Sequence, residues 1–89
     1  MAWLIEIDET AKNDLAKLDK QIARRITEFL RIRIASSENP RTLGHSLHVT
    51  ALGDLWTFRT GDYRIVCEIQ DRPVRILVVR IGNRREIYR

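Results

Sequence analysis

WTFRTGDYRIVCEI, Trp56 to Ile69, decides the fold of this chain. Thr60-Gly61-Asp62 at its centre is a turn signal, because glycine and aspartate tolerate the backbone angles of tight reversals. The flanking runs, Leu55 to Arg59 and Tyr63 to Ile69, are rich in β-branched and aromatic residues and read as strands. Strands joined by so short a turn pair antiparallel. Period-two alternation then sorts the side chains. Trp56 and Phe58 share one face of the first run, opposite Leu55, Thr57 and Arg59. Tyr63, Ile65, Cys67 and Ile69 oppose Arg64, Val66 and Glu68 on the second. The large aromatics belong against the core. Thr57, Arg59 and Arg64 are therefore expected to face away from it on adjacent strands.

Downstream, Gln70-Asp71-Arg72-Pro73 is a turn, Val74 to Ile81 a long strand, and Gly82 to Arg89 a tail. Upstream, Gly44 and Gly53 bracket a poorly periodic segment that reads as a loop and contains Leu47 and Val49. At the start, Trp3, Ile5 and Ile7 alternate with Leu4 and Glu6, which predicts a short strand central enough to bury part of both faces. Asp8 is a candidate N-cap, and Ala11, Leu15 and Leu18 follow at helical spacing. Asp19 can cap a second helix whose apolar stripe is Ile22, Ile26, Phe29, Leu30 and Ile34. Its outer face carries Arg24, Arg25, Glu28 and Arg31, and the segment Ser36 to Pro40 ends it. The architecture expected is α+β in one domain, residues 1–89. It has an N-terminal strand, two helices, then an antiparallel β-meander, with the helices packed on one face of the sheet. The other face is left as a working surface.

Eighty-nine residues form one small core, and 44% apolar residues is a globular composition. No apolar run approaches the roughly 20 residues that span a bilayer, and Met1-Ala2-Trp3-Leu4 runs straight into Glu6 and Asp8 rather than opening a signal segment. Cys67 is the single cysteine, so no internal disulfide forms, and a reducing, cytoplasmic location is expected. Its apolar neighbours make Cys67 a small core residue rather than a reactive thiol. Residues 1–40 balance seven Lys/Arg against seven Asp/Glu, whereas residues 41–89 hold nine Arg, no Lys and five Asp/Glu. The net charge of +4 thus lies in the second half and is all arginine there. Guanidinium groups grip phosphate bidentately, so an anionic polymer is the partner this pattern points to.

Arg84, Arg85 and Tyr88 can fold back over the open face, which would make a concave arginine cluster holding one tyrosine. RNA is cut when its 2′-hydroxyl attacks the neighbouring phosphate. The enzyme must take one proton, give another and steady the added negative charge. Arginine suits only the last task, because it stays protonated. A tyrosine ringed by guanidinium groups has its phenol pKa lowered, since nearby positive charge favours phenolate. His45 and His48 stand three apart, as surface histidines, nucleic-acid contacts or a proton-transfer pair. Neither Cys, Asp nor Glu lies beside them to complete a metal site, and no metal or cofactor is expected. A phosphate-binding glycine loop, a Ser-His-Asp set and a paired-carboxylate site are absent from the sequence.

With WTFRTGDYRIVCEI, VRIGNRREIY (Val79–Tyr88), NPR (Asn39–Arg41) and GHSL (Gly44–Leu47), the chain resembles the RelE branch of the RelE/ParE toxins over nearly its whole length. The resemblance implies a toxin of a type II toxin–antitoxin system, a ribosome-dependent messenger endoribonuclease that inhibits translation. It implies a RelB-like antitoxin that wraps the toxin, with operator DNA met only through that complex. In the family pattern Arg64 matches the arginine at the scissile phosphate, Arg84 a second functional arginine and Tyr88 the catalytic tyrosine. Arg59, Arg85, His45 and His48 fall in the RNA-binding set. Leu55 and Thr57 depart from it, since active relatives carry basic residues there. The alternative is the ParE branch, which inhibits DNA gyrase without nuclease chemistry.

Overall fold

The computed structural model describes residues 3–50, 53–71 and 74–83. The chain begins with β1 (Leu4–Ile7), α1 (Glu9–Ala16) and α2 (Lys20–Glu28), and α2 runs on into a π-helical segment, Phe29–Ile34. A 3-10 turn (Pro40–Leu43) leads to β2 (His45–Thr50), β3 (Gly53–Thr60), β4 (Tyr63–Asp71) and β5 (Val74–Asn83). Asp19 caps α2 by accepting a hydrogen bond from the Gln21 N–H at 3.1 Å. Asp8 occupies the equivalent position before α1 without a side-chain cap bond.

The five strands form one sheet in the order β1-β5-β4-β3-β2. Strands β2 to β5 are the expected antiparallel meander, while β1 pairs parallel with β5, Leu4 to Ile7 against Arg75 to Val78. The sheet is therefore mixed, and β1 is its edge rather than a central strand; Leu4 is 56% exposed. The chain reaches that edge because two helices, rather than a tight turn, follow β1 and carry the chain across one face of the sheet. That face and the helices enclose the core: Ala11, Ile26, Leu30 and Ile34 from the helical half pack with Phe58, Ile65, Cys67, Ile69, Ile76, Val78 and Ile81. The aromatics predicted to face the helices do so, with Phe58 fully buried and Trp56 packed against the cluster.

One correction concerns the segment before β3. The residues read as a loop between Gly44 and Gly53 contain a six-residue strand, β2, at the other edge of the sheet. Its periodicity is broken by a bulge between Ser46 and His48, so a strict alternation test fails there. Gly44 lies against the core: a Cβ there would meet Phe58 Cε1 and the Thr57 carbonyl oxygen, each at 2.8 Å. The Thr57 contact is backbone and cannot move aside. Gly44→Ala is expected to destabilise the fold by about 1–3 kcal/mol, read as a lower midpoint in urea denaturation with an unchanged slope. A wild-type midpoint would show that β2 can shift away from Phe58.

Candidate nucleic-acid interface

The β3–β4 hairpin turns on Gly61-Asp62, with Gly61 at φ +59 and no positive φ at any described non-glycine residue. Glycine first and a normal φ second is the pattern of a type II′ turn, which matches the twist of a hairpin. This turn fixes the register: Thr60 opposes Tyr63, Arg59 opposes Arg64, and Thr57 opposes Val66. Arg59 and Arg64 thus stand directly across from each other on the sheet face turned away from the helices. Like charges in that relation repel, so the pair needs an anion to offset it.

The two arginines differ in setting. Arg59 is exposed, while Arg64 is only 6% exposed and Thr57 beside it 4%. Neither arginine has an ion-pair partner among the described residues. Other cations do. Arg41 grips Asp71 with two bonds of 3.1 and 2.9 Å, Arg75 meets Glu6 at 3.2 Å, and Arg80 meets Asp14 at 3.0 Å. The Arg41 hydrogen bond holds the Asp71 carboxyl below its ordinary pKa. The arginine excess of the second half is therefore not uniform. Among the described residues three of its members are neutralised, and Arg59 and Arg64 remain to attract an anion.

β5 borders the pair on its other side. Gly82 opposes Arg64, so no side chain stands beside the guanidinium on that strand. A bulge between Val66 and Cys67 places Arg80 opposite Val66 and Val78 opposite Cys67. Past the end of β1, Asp14 of α1 caps the bare edge of β5, accepting from the Ile81 N–H at 2.9 Å as well as from Arg80. The last six residues, with the expected Arg84, Arg85 and Tyr88, lie outside the described residues. The chain approaches them from Gly82, directly across from Arg64.

On the far side of β3, His45 opposes Thr57 and His48 opposes Leu55, with the bulge between them. Straight alternation would put positions three apart on opposite faces. The bulge instead sets both against residues of the arginine-bearing face. His45 is exposed. Cys67 is on the core face, fully buried, and burial pushes its thiol pKa up, so it is no nucleophile.

Two charged features stand outside the charge count of the two halves, one on the helical side of the molecule and one on the sheet face of the arginines. Lys20, Arg24, Arg25, Arg31 and Arg33 are all exposed along α2 and the π-helical segment, with Glu28 the one acid among them. Averaging over residues 1–40 cancels them against acids elsewhere in that half; a helical-face sum over 20–34 would have found them. Glu68, half-buried beside the arginines' face, makes one hydrogen bond, from Gln70 Nε2 at 3.1 Å.

A family model described as the ParE toxin of the type II toxin–antitoxin system parDE matches residues 5–88. The chain is 35% identical to Toxin RelE of Mycobacterium tuberculosis over 85 residues, 96% of this chain and 84% of that protein. It is 29% identical to Toxin RelG of the same organism over 89 residues, 100% and 99% of the two chains. Its fold matches the M. tuberculosis RelBE2 toxin–antitoxin complex with TM-score 0.81 at 24% identity, covering 93% of this chain and 92% of that one. It also matches isolated Escherichia coli RelE with TM-score 0.71 at 22% identity, covering 98% and 92%.

Proposed function

This chain belongs to the RelE/ParE superfamily of type II toxin–antitoxin toxins, and we propose that it acts there as a RelE-type endoribonuclease that cuts messenger RNA on the ribosome. The observation that carries this reading is Arg64. A buried guanidinium without a partner among the described residues, opposite a second arginine, is costly to hold unless it binds an anion. The backbone phosphate of RNA is that anion.

The reaction needs only the RNA and side chains of this protein, without a metal. The 2′-oxygen forms a bond to phosphorus as the bond to the 5′-oxygen breaks, leaving a 2′,3′-cyclic phosphate and a 5′-hydroxyl. Arg64 and Arg59 hold the phosphate and stabilise the added charge, and Arg84 joins them. Tyr88 transfers a proton. His45 is a further proton carrier, since it is exposed and paired in register with Thr57, one step along the sheet from the arginines. Arg85 and His48 contact the RNA strand. Leu55 and Thr57 leave Arg59 as the one cation on β3, so charge stabilisation falls more heavily on Arg59 and Arg64 here.

A RelB-like antitoxin silences the protein, and operator DNA is met through that complex. β1 is an open sheet edge, and beside it lies a groove of about 350 Å³ lined by Ile5, Ile7, Thr27, Leu30 and Arg31. An extended or helical partner segment with acidic residues fits such a groove and the basic surface around it. The site of action is the cytoplasm, where ribosomes are. Among the described residues no helix is long and apolar enough to cross a membrane.

A second reading, gyrase inhibition, is favoured by the ParE description of the matching family model and by Leu55 and Thr57. The two separate on induction in bacteria without antitoxin. Amino-acid incorporation is expected to stop before thymidine incorporation, with broken messenger RNA. Thymidine incorporation stopping first, with messages intact, would favour the ParE reading. Harmless overproduction of the unmutated chain would overturn both.

A further inference from the structure

The arginine-bearing face carries a carboxylate where an anion-binding surface should have none. Glu68 is four residues along β4 from Arg64 and faces the same side, about 13 Å away. It sits in register between Leu55 on β3 and Leu77 on β5, with Val66 before it, so its neighbours on three sides are apolar and only Gln70, with Arg75 opposite it, is polar. It is half-buried and has no cation within ion-pair distance among the described residues. Acidic side chains withdrawn from water are ordinarily paired.

Its orientation is nonetheless fixed. Arg75 can only donate, so the Gln70 oxygen accepts from Arg75 Nε at 2.9 Å and the Gln70 amide nitrogen faces Glu68. That nitrogen donates to Glu68 Oε1 at 3.1 Å. Arg75 is anchored in turn by Glu6 on β1. The relay spans β1, β5 and β4 and ends on a carboxylate that keeps free acceptor positions, flanked by two leucines.

We propose that Glu68, oriented by Gln70 and Arg75, reads the edge of an amino-bearing base of the message and so sets which codons are cut. This rests on the ribonuclease reading above. Phosphate is repelled by Glu68 and held by Arg64 and Arg59, so a bound strand has its scissile phosphate at the arginines and a base at the carboxylate. An extended single strand covers that separation in a couple of nucleotides, and single-stranded RNA is read through just such splayed base edges. A carboxylate accepts from the exocyclic amines of guanine, adenine or cytosine; uracil offers none. Leu55, where charged residues stand in active relatives, becomes one wall of the base slot.

The test is single-turnover cleavage on ribosomes programmed with A-site codons that carry uracil, in turn, at each position. The parent protein is expected to lose rate on the order of tenfold when uracil occupies one particular position. Glu68→Gln keeps the shape and the bond to Gln70, but turns an amide NH2 where the free carboxylate oxygen was. It should remove that discrimination by lowering the rate on amine-bearing codons toward the rate on the uracil codon, which should hold. Gln70→Met, which frees the carboxylate from its orienting donor, should relax the preference in the same direction by less. Thermal melts of both variants establish that they fold. A codon profile unchanged by Glu68→Gln overturns the proposal, and so does a uniform loss of rate on every codon, which would mark Glu68 as a proton acceptor. A parent protein that cuts no ribosome-bound message refutes the ribonuclease reading instead.

Discussion

Arg64→Met is expected to make this protein more stable and nearly harmless in a single substitution. Arg64 is 6% exposed, faces Arg59 across the hairpin, and has no side-chain partner among the described residues. The free protein therefore bears both a desolvation cost and a like-charge contact. Methionine is of similar length, unbranched and apolar, so it fills the same space between Thr57, Val66 and the bare backbone at Gly82. Removing the charge should raise stability by about 1–2 kcal/mol. For a domain of this size each kcal/mol moves Tm by roughly 4–8 °C. The same change removes a preorganised cation from the scissile phosphate, a loss on the order of 100- to 1,000-fold in cleavage rate. Thermal melts and single-turnover cleavage on programmed ribosomes check the two halves separately. Full toxicity in a folded Arg64→Met protein would sink the site assignment. A lower Tm with activity lost would mean that Arg64 holds the sheet face together and is not held in reserve for a ligand.

Tyr88→Phe should slow the chemical step without loosening binding. The substitution keeps the ring and its stacking and removes only the hydroxyl. A proton-transfer group contributes about 100- to 10,000-fold, so the rate on saturated ribosomes should fall within that range while ribosome affinity holds. Geometry allows the role. The chain passes Gly82 directly opposite Arg64, and Tyr88, six residues further on, can reach anywhere within about 20 Å of that point. Arg84 behaves differently under the same logic. Phosphate is held before the transition state as well as in it, so Arg84→Ala should lower affinity and rate together and alter the salt dependence of both. A Tyr88→Phe protein that cuts within a few-fold of the parent would pass proton transfer to His45 or His48.

Local pattern alone determined the hairpin, the two helices and the division of β3 and β4 into a core face and an open face. These follow from interactions between near neighbours: a glycine at a turn, period-two alternation, an apolar stripe with its cap at Asp19. Arg59 and Arg64 could be placed on one face of adjacent strands from sequence for that reason; the turn proved one residue shorter than the Thr60-Gly61-Asp62 read there, and that set them directly opposite. Three things were decided only in the tertiary structure. β1 went to a sheet edge beside β5, because strand order is set by how the helices cross the sheet and not by β1's own residues. The β2 bulge set both histidines against one face, and bulges answer to the partner strand. Above all, the choice of which cations remain available was made across the whole chain. Glu6 finds Arg75 at a separation of 69 residues and Asp14 finds Arg80 at 66, so three arginines are paired by acids far away in sequence. The sequence could count the charges. Only folding could cancel some of them and leave Arg64 buried and waiting.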